Sequence, residues 1–503
     1  MKPTCTYLAA VGAVLLAAGV ASAQSKTVYW DTNYTAAGCG NNGSSWEGVN
    51  WTTDPAGLTV PAPWVDGDSV IFSAGTDGIG TWHISIGSTI TTPSIVWQDP
   101  FTSANDAWRS INGGTINIGG GTISTSALGF TQGNSYDVNI NSVLAGSGGL
   151  TIAAHGDATS PGGGGGGAEL RLGGTNTFSG GLTITSGLVS FNTDANLGDI
   201  ANAITLNGGG ILCTGNQHVT VRDIKVGAAG GTIRTYGGTT LTLNGTISNA
   251  AGVASATLRR TDGGTLIINT QGTGFTGSFI VGGGDVRLAA PNADWSKTDF
   301  TTVGGGSGRL VPDGGGTAVV NSLNTAADVV INNGTTLDVD TGAITMVQTN
   351  GHWYKTTLGA LGKLTSSSGT LTINNGLTTG DLTTTDHRIR VQIIDSGTTP
   401  VALVKNYKNN LFLDQPNTYS GGTTINGGRV ESYGTPSFGS GAVVVANGAQ
   451  AWLRANGTYP NNFTINGIGA TEGAANLGAI RFSGLATIAG TVNVATASRL
   501  TAY

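Results

Sequence analysis

An all-β chain wound as a parallel β-helix is the fold class that the sequence predicts, and three observations predict it. The first is composition: 85 glycines in 503 residues, over twice the roughly 7% of ordinary proteins. Charged residues make up only 10%, against about 25%. A disordered chain would be poor in apolar residues and rich in charge, but the hydrophobic fraction here is 38%. The second is short apolar–polar–apolar strands, such as Leu182-Thr183-Ile184-Thr185 and Leu241-Thr242-Leu243-Asn244, with one face buried and one wet. The third is a phrase that returns. Asn176-Thr177-Phe178-Ser179-Gly180-Gly181 leads into a strand, a glycine and a second strand. So does Asn417-Thr418-Tyr419-Ser420-Gly421-Gly422, and a worn copy surrounds Gly274-Phe275-Thr276-Gly277. Recurrence of one turn-and-strand unit is the mark of a stacked repeat.

Taken in order, the chain begins with an export signal at 1–23. Lys2 supplies the positive region and Tyr7 to Val20 the apolar one. The apolar run is too short to span a bilayer comfortably, and Ala21-Ser22-Ala23 is a small-x-small cleavage site. Residues 24–108 form a second region. They hold seven of the ten tryptophans: Trp30, Trp46, Trp51, Trp64, Trp82, Trp97 and Trp108. A stack of coils has open ends that need covering, so this segment is expected to be an aromatic-rich N-terminal cap. The competing reading is a tryptophan platform for sugar rings. Residues 109–503 are expected to be β-helix repeats. Alternating strands recur there at Thr115-Ile116-Asn117-Ile118, Ile204-Thr205-Leu206-Asn207, Leu371-Thr372-Ile373-Asn374 and Val492-Asn493-Val494. Most end in Asn-Gly or Gly-Gly, which supply the positive φ of a corner. Asn-Gly is also a hairpin signal, so an antiparallel sandwich competes, but regular strand pairs around two-residue loops are missing. With 20–25 residues per coil the stack would be a rod about 100 Å long. Pro161 and the glycines 162–167 read as a surface loop or a break in the stack.

The phrases at 176–181 and 417–422, with their lead-ins Leu170-Arg171-Leu172-Gly173-Gly174 and Leu411-Phe412-Leu413, resemble the autotransporter-associated β-strand repeat, also called the passenger-associated transport repeat. The tails at Ile204-Thr205-Leu206-Asn207-Gly208-Gly209 and 438–445 resemble it too. The resemblance implies a right-handed β-helix, export, and a surface or extracellular role. The translocator barrel and the sorting tail that accompany such repeats do not follow. Either the chain is truncated at its C-terminus or its export does not depend on those parts.

Function is less legible. A net charge of −6 argues against a nucleic-acid partner, which would require a dense basic face. No segment after the signal is long and apolar enough for a transmembrane helix. HExxH, CxxC, GxSxG and P-loop patterns are absent. No catalytic, cofactor-binding or metal residue is assigned, and no cofactor is expected. Cys39 and Cys213 remain after the signal, with Cys213 read as a small buried hydrophobe and a disulfide between them as the alternative. The pairs Asp66-x-Asp68 and Asp338-x-Asp340 could hold calcium or serve glycoside hydrolysis, but any solvated strand spaces acids that way. Gly282-Gly283-Gly284-Asp285 faintly resembles a calcium repeat, without the tandem copies such a site needs. His83 is expected to be exposed. His155, His218, His352 and His387 have no acid-and-nucleophile set nearby. Arg388, Arg390, Lys405 and Lys408 form the sole cation cluster that could serve a polysaccharide lyase, or an ordinary charged face. The expectation is an exported, non-catalytic repeat protein with a structural or adhesin-like role, secreted or at the cell surface. Its expected partner is a surface polysaccharide or another surface component. The alternative is a carbohydrate-binding or polysaccharide-cleaving β-helix.

Overall fold

In the computed structural model, residues 25–502 are described apart from 41–42, 76, 79–81, 99–108, 126–136, 157, 159–168, 304–307, 347–356, 360, 377–385, 435 and 473–474. The export signal, Trp108, the 161–167 glycine run and His352 lie outside the described residues.

The chain is all-β. Its strands pair in parallel from coil to coil, and three long ladders carry the stack. One coil shows the plan: Ile204–Leu206 lies in an 11-stranded sheet, Gly210–Cys213 in a longer one, and Gln217–Thr220 opens a 13-stranded sheet. The next coil repeats it with Ile224–Val226, Gly231–Thr235 and Thr240–Leu243, each hydrogen-bonded to its predecessor. At about 4.8 Å per step the 13-stranded sheet runs about 58 Å along the axis. The long sheet starts at Gly43–Ser45 and reaches Val492–Val494. Among the described residues the one helical element is a single 3-10 turn, Asp194–Leu197.

Alternation decides what faces in. Ile184, Leu206, Val226, Leu243, Ile268 and Leu288 are buried in one continuous apolar interior. Between them polar residues point out, and at strand ends asparagines stack: Asn426 donates to Asn406 at 3.0 Å, and Asn406 to Asn374 at 2.9 Å. Each such bond satisfies an amide that the strand end would otherwise leave to water. The phrase's aromatics, Phe178, Phe275 and Tyr419, are fully buried. Gly180 and Gly181 have φ of 101° and 100°, and a Cβ on Gly180 would meet the Gly149 nitrogen at 2.5 Å. Only glycine suits both constraints.

The copies are out of phase by one face. Leu182–Ser186 of the first copy lies in the 11-stranded sheet and Leu188–Phe191 in the long sheet. In the last copy the equivalent Thr423–Ile425 lies in the long sheet and Gly428–Ser432 in the 13-stranded sheet. The worn copy already has the later phase, with Gly277–Val281 and Asp285–Leu288. Between the first copy and the worn one the unit has advanced by one strand.

At the N-terminal end the parallel rule breaks. Val49–Thr52 pairs antiparallel with Thr27–Trp30 and with Ala62–Pro63, and Pro63 on this edge lacks the N–H another strand would need. Trp30, Trp46, Trp51, Trp82 and Trp97 are all buried, packed around Phe72. Parallel pairing already joins Ser69–Phe72 to Ser94–Trp97 and on to Gly121–Thr125. Coil-to-coil parallel pairing is thus already in place within the Trp-rich segment.

Candidate functional site

The residues singled out in the sequence scatter. Cys39 and Cys213 are buried thiols not joined by a disulfide, and burial pushes the Cys213 thiol up. Asp66 accepts from the Trp64 indole at 2.9 Å and from the Thr91 amide at 2.8 Å. Asp68 accepts from the Lys26 amide at 2.9 Å. Asp338 accepts from the Ser367 amide at 2.8 Å, and Asp340 from the Ser367 hydroxyl at 2.8 Å. Burial raises the Asp338 carboxyl against the lowering effect of that amide. Both pairs thus tie neighbouring coils together. Asp285 holds Arg309 of the next coil at 2.7 and 2.9 Å. Among the described residues no three His, Cys, Asp or Glu side chains gather to hold a metal ion.

His83 is exposed and bonds Ser110 at 2.8 Å. His155 is part-buried, His218 packs on Phe191 at 5.4 Å, and His387 is buried. The indoles of Trp30, Trp46, Trp51, Trp82 and Trp97 are covered, so they offer no sugar platform; Trp64 is part-covered.

The cation cluster divides. Arg388 and Arg390 face outward and share Asp414, at 3.3 and 3.5 Å. Lys408 is exposed on the following turn. Lys405 lies in a different sheet, on the inward row between Ile373 and Ile425, and is fully buried. Its Nζ donates to the carbonyls of Tyr407 and, at 2.7 Å, Gly427. Burial pushes its pKa far below the usual lysine value. The expectation that Lys405 shares a face with Arg388 and Arg390 is therefore corrected: it closes an interior corner.

What the structure assembles instead is a ladder on the outer face of the 13-stranded sheet, near its C-terminal end. Register sets Arg388, Phe412, Glu431, Trp452 and Arg481 directly above one another on successive coils. Their neighbours along the strands pack inward, such as Leu411 and Leu413 or Ala451 and Leu453, so the row must point out. The Arg388 guanidinium lies over Phe412 at 4.4 Å and Tyr433 at 4.8 Å. Arg454 lies over Tyr433 at 4.8 Å and Trp452 at 5.2 Å. Arg481 and Arg429 lie over Trp452 at 4.1 and 4.8 Å. Guanidinium planes stack on ring faces because the ring quadrupole is negative there.

Carboxylates thread the same face. Arg454 pairs with buried Glu431. Glu472 reaches Arg429 at 2.9 Å and Arg481 at 3.8 Å, while Arg429 Nε donates to Gln450 at 2.6 Å. Glu472 stands on a short antiparallel hairpin, Thr471–Glu472 with Ala475–Asn476, that leaves the coil plan. Trp452, Arg454, Glu472, Arg481, Ser483 and Gly484 line an open cleft of about 520 Å³. The Ser483 hydroxyl accepts from the Trp452 indole at 2.8 Å, which fixes the ring. Among the described residues no histidine lines this cleft; the groups that do can bind an anion. The ladder is not legible in any one segment of the sequence because its residues come from five separate strands. The signal that could have found it is parity: Arg429, Glu431 and Tyr433 alternate with core residues, and so do Gln450, Trp452 and Arg454.

Fold and site together define a β-helical repeat protein with an outer face of stacked arginines and aromatic rings. Among curated proteins, the chain is similar to the adhesin BmaC autotransporter of Brucella suis biovar 1 (strain 1330), with 27% identity over 506 residues. The similarity covers 95% of this chain and 13% of that protein, so the chain spans about an eighth of its relative's length. It agrees with the resemblance to autotransporter-associated passenger repeats. No family model and no solved structure matches the chain. Among the described residues no helix is long and apolar enough to cross a membrane, which leaves strand-built barrels unaddressed.

Proposed function

We propose that this chain is an exported, non-catalytic β-helical passenger with a structural or adhesin-like role, secreted or held at the cell surface. The observation that carries this reading is similarity to an autotransporter adhesin across 95% of the chain. In this reading residues 1–23 direct export, the Trp-rich segment 24–108 covers the N-terminal end, and 109–503 form the scaffold. A stack of nearest-neighbour coils suits presentation away from a surface, since each coil is held by the two beside it.

The test has two arms. Protease added to intact producing cells should remove the chain, and its deletion should lower attachment to host cells or surfaces several-fold. A protease-protected chain, or unchanged attachment, overturns the surface role. The purified chain should release no reducing ends from a panel of acidic and neutral polysaccharides. Release would favour the polysaccharide-cleaving alternative.

A further inference from the structure

We propose that the arginine–aromatic ladder is a binding site for an acidic polysaccharide laid along the stack axis, with Glu472 holding the anion position until the ligand arrives. The proposal deepens the surface reading above and rests on it.

Charge and geometry carry it. The chain as a whole is acidic, yet this face sets Arg388, Arg390, Arg429, Arg454 and Arg481 against the carboxylates Asp414, Glu431 and Glu472. Arg390 and Arg454 expose 55% and 43% of their side chains. The five strands bearing the ladder are four steps apart from first to last, about 19 Å. Cations drawn from four of the five strands of one rigid face match a polymer that carries repeated carboxylates or sulfates. Guanidinium groups pair such anions bidentately. A nucleic acid fits less well, because its bases would want open ring faces and these faces already carry guanidinium groups.

Glu472 has an unusual place. Its side chain is 54% exposed, yet it bridges Arg429 and Arg481, whose side chains are only 3% and 10% exposed. Desolvated cations need an anion beside them. Here the chain supplies one from a hairpin outside the coil plan, at the lip of an open cleft. A ligand carboxylate or sulfate entering beside Trp452 can take over both guanidinium groups and displace Glu472 to water.

Two substitutions therefore act in opposite directions. With polygalacturonate and dextran sulfate as probes and neutral dextran as the control, the full chain should retain the acidic polymers at least tenfold more strongly. Retention should fall steeply with added salt. Glu472→Gln should bind about tenfold tighter, and Arg481→Gln at least tenfold weaker. Arg390→Gln, whose side chain is the most exposed of the five, should fold normally and weaken long polymers about threefold while sparing short oligomers. Thermal melts establish folding for each variant. Equal retention of neutral dextran, unchanged binding in folded Arg481→Gln and Arg390→Gln, weaker binding in Glu472→Gln, or better competition by a single-stranded oligonucleotide would each overturn the site. If the chain still attaches to cells while failing these assays, the adhesin-like reading stands and this one falls.

Discussion

The two aromatic-rich regions use the same side chains on opposite sides of the wall. At the N-terminal end, Trp30, Trp46, Trp51, Trp82 and Trp97 point inward and are dry. In the C-terminal third, Tyr433 and Trp452 point outward under arginines and remain part-exposed. Tryptophan density therefore marks an interior filled with rings. The outer ladder is marked by parity, an aromatic at an outward position with charged neighbours two residues away. Inward rings gain by burial of area; outward rings gain little by burial and instead hold cations in place.

Replacing one ring on each side gives the sharpest contrast. Trp82 packs against Trp30, Phe72 and Trp97, and its indole donates to the Gly78 carbonyl at 3.0 Å. Trp82→Ala should cost about 3–5 kcal/mol. Because coils depend on their neighbours, the loss should appear as early melting and rapid amide exchange confined to the first coils. Trp452→Ala should cost only about 1 kcal/mol. Equal losses in chemical denaturation would show that the outer row is core, and would remove the distinction between the regions.

How much of this was legible follows from what each signal depends on. Strand alternation is local, so Leu182–Ser186 and Thr240–Leu243 could be read directly, and so could the burial of Phe178, Phe275 and Tyr419. Face assignment depends on every preceding turn length. Nothing within the phrase distinguishes Leu182–Ser186 from Thr423–Ile425, yet they occupy different sheets. For the same reason sequence distance alone groups Lys405 with Arg388 and Arg390. The ladder needed register across five strands, which no single segment encodes.

Lys405 gives a second contrast, a cation placed inside where the ladder places cations outside. Its proton is disfavoured in the folded state by burial, so the unfolded chain binds more protons. Stability should then rise with pH, from the depressed folded value up to the ordinary lysine value of about 10.4, by at most about 1.4 kcal/mol per unit. Lys405→Met should flatten that rise in thermal melts between pH 7 and 10. An unchanged slope would mean that the ammonium is solvated and the corner open.

The smallest effect concerns how the first coils are fastened. Glu47 follows the strand Gly43–Ser45 and accepts from the Gly87 and Ser88 amides at 2.8 and 2.9 Å, the Ser88 hydroxyl at 3.0 Å and the Ser45 hydroxyl at 2.8 Å. Partial burial opposes its charge, but these donors outweigh it and hold the carboxyl at about 2. A depressed acid stabilises fully above its unfolded value of about 4.3, and that contribution disappears as pH falls towards 2. Solvent screening keeps it below about 1 kcal/mol. In the native chain, amide exchange at Gly87 and Ser88, corrected for its intrinsic pH dependence, should accelerate between pH 4 and 2. Glu47→Gln should show the faster exchange already at neutral pH and lose the acid step, with the ladder coils unaffected. An acid step that persists in Glu47→Gln would overturn Glu47 as the fastening; Asp31 could not supply it, because burial raises that carboxyl and an acid raised in the folded state gains stability as pH falls.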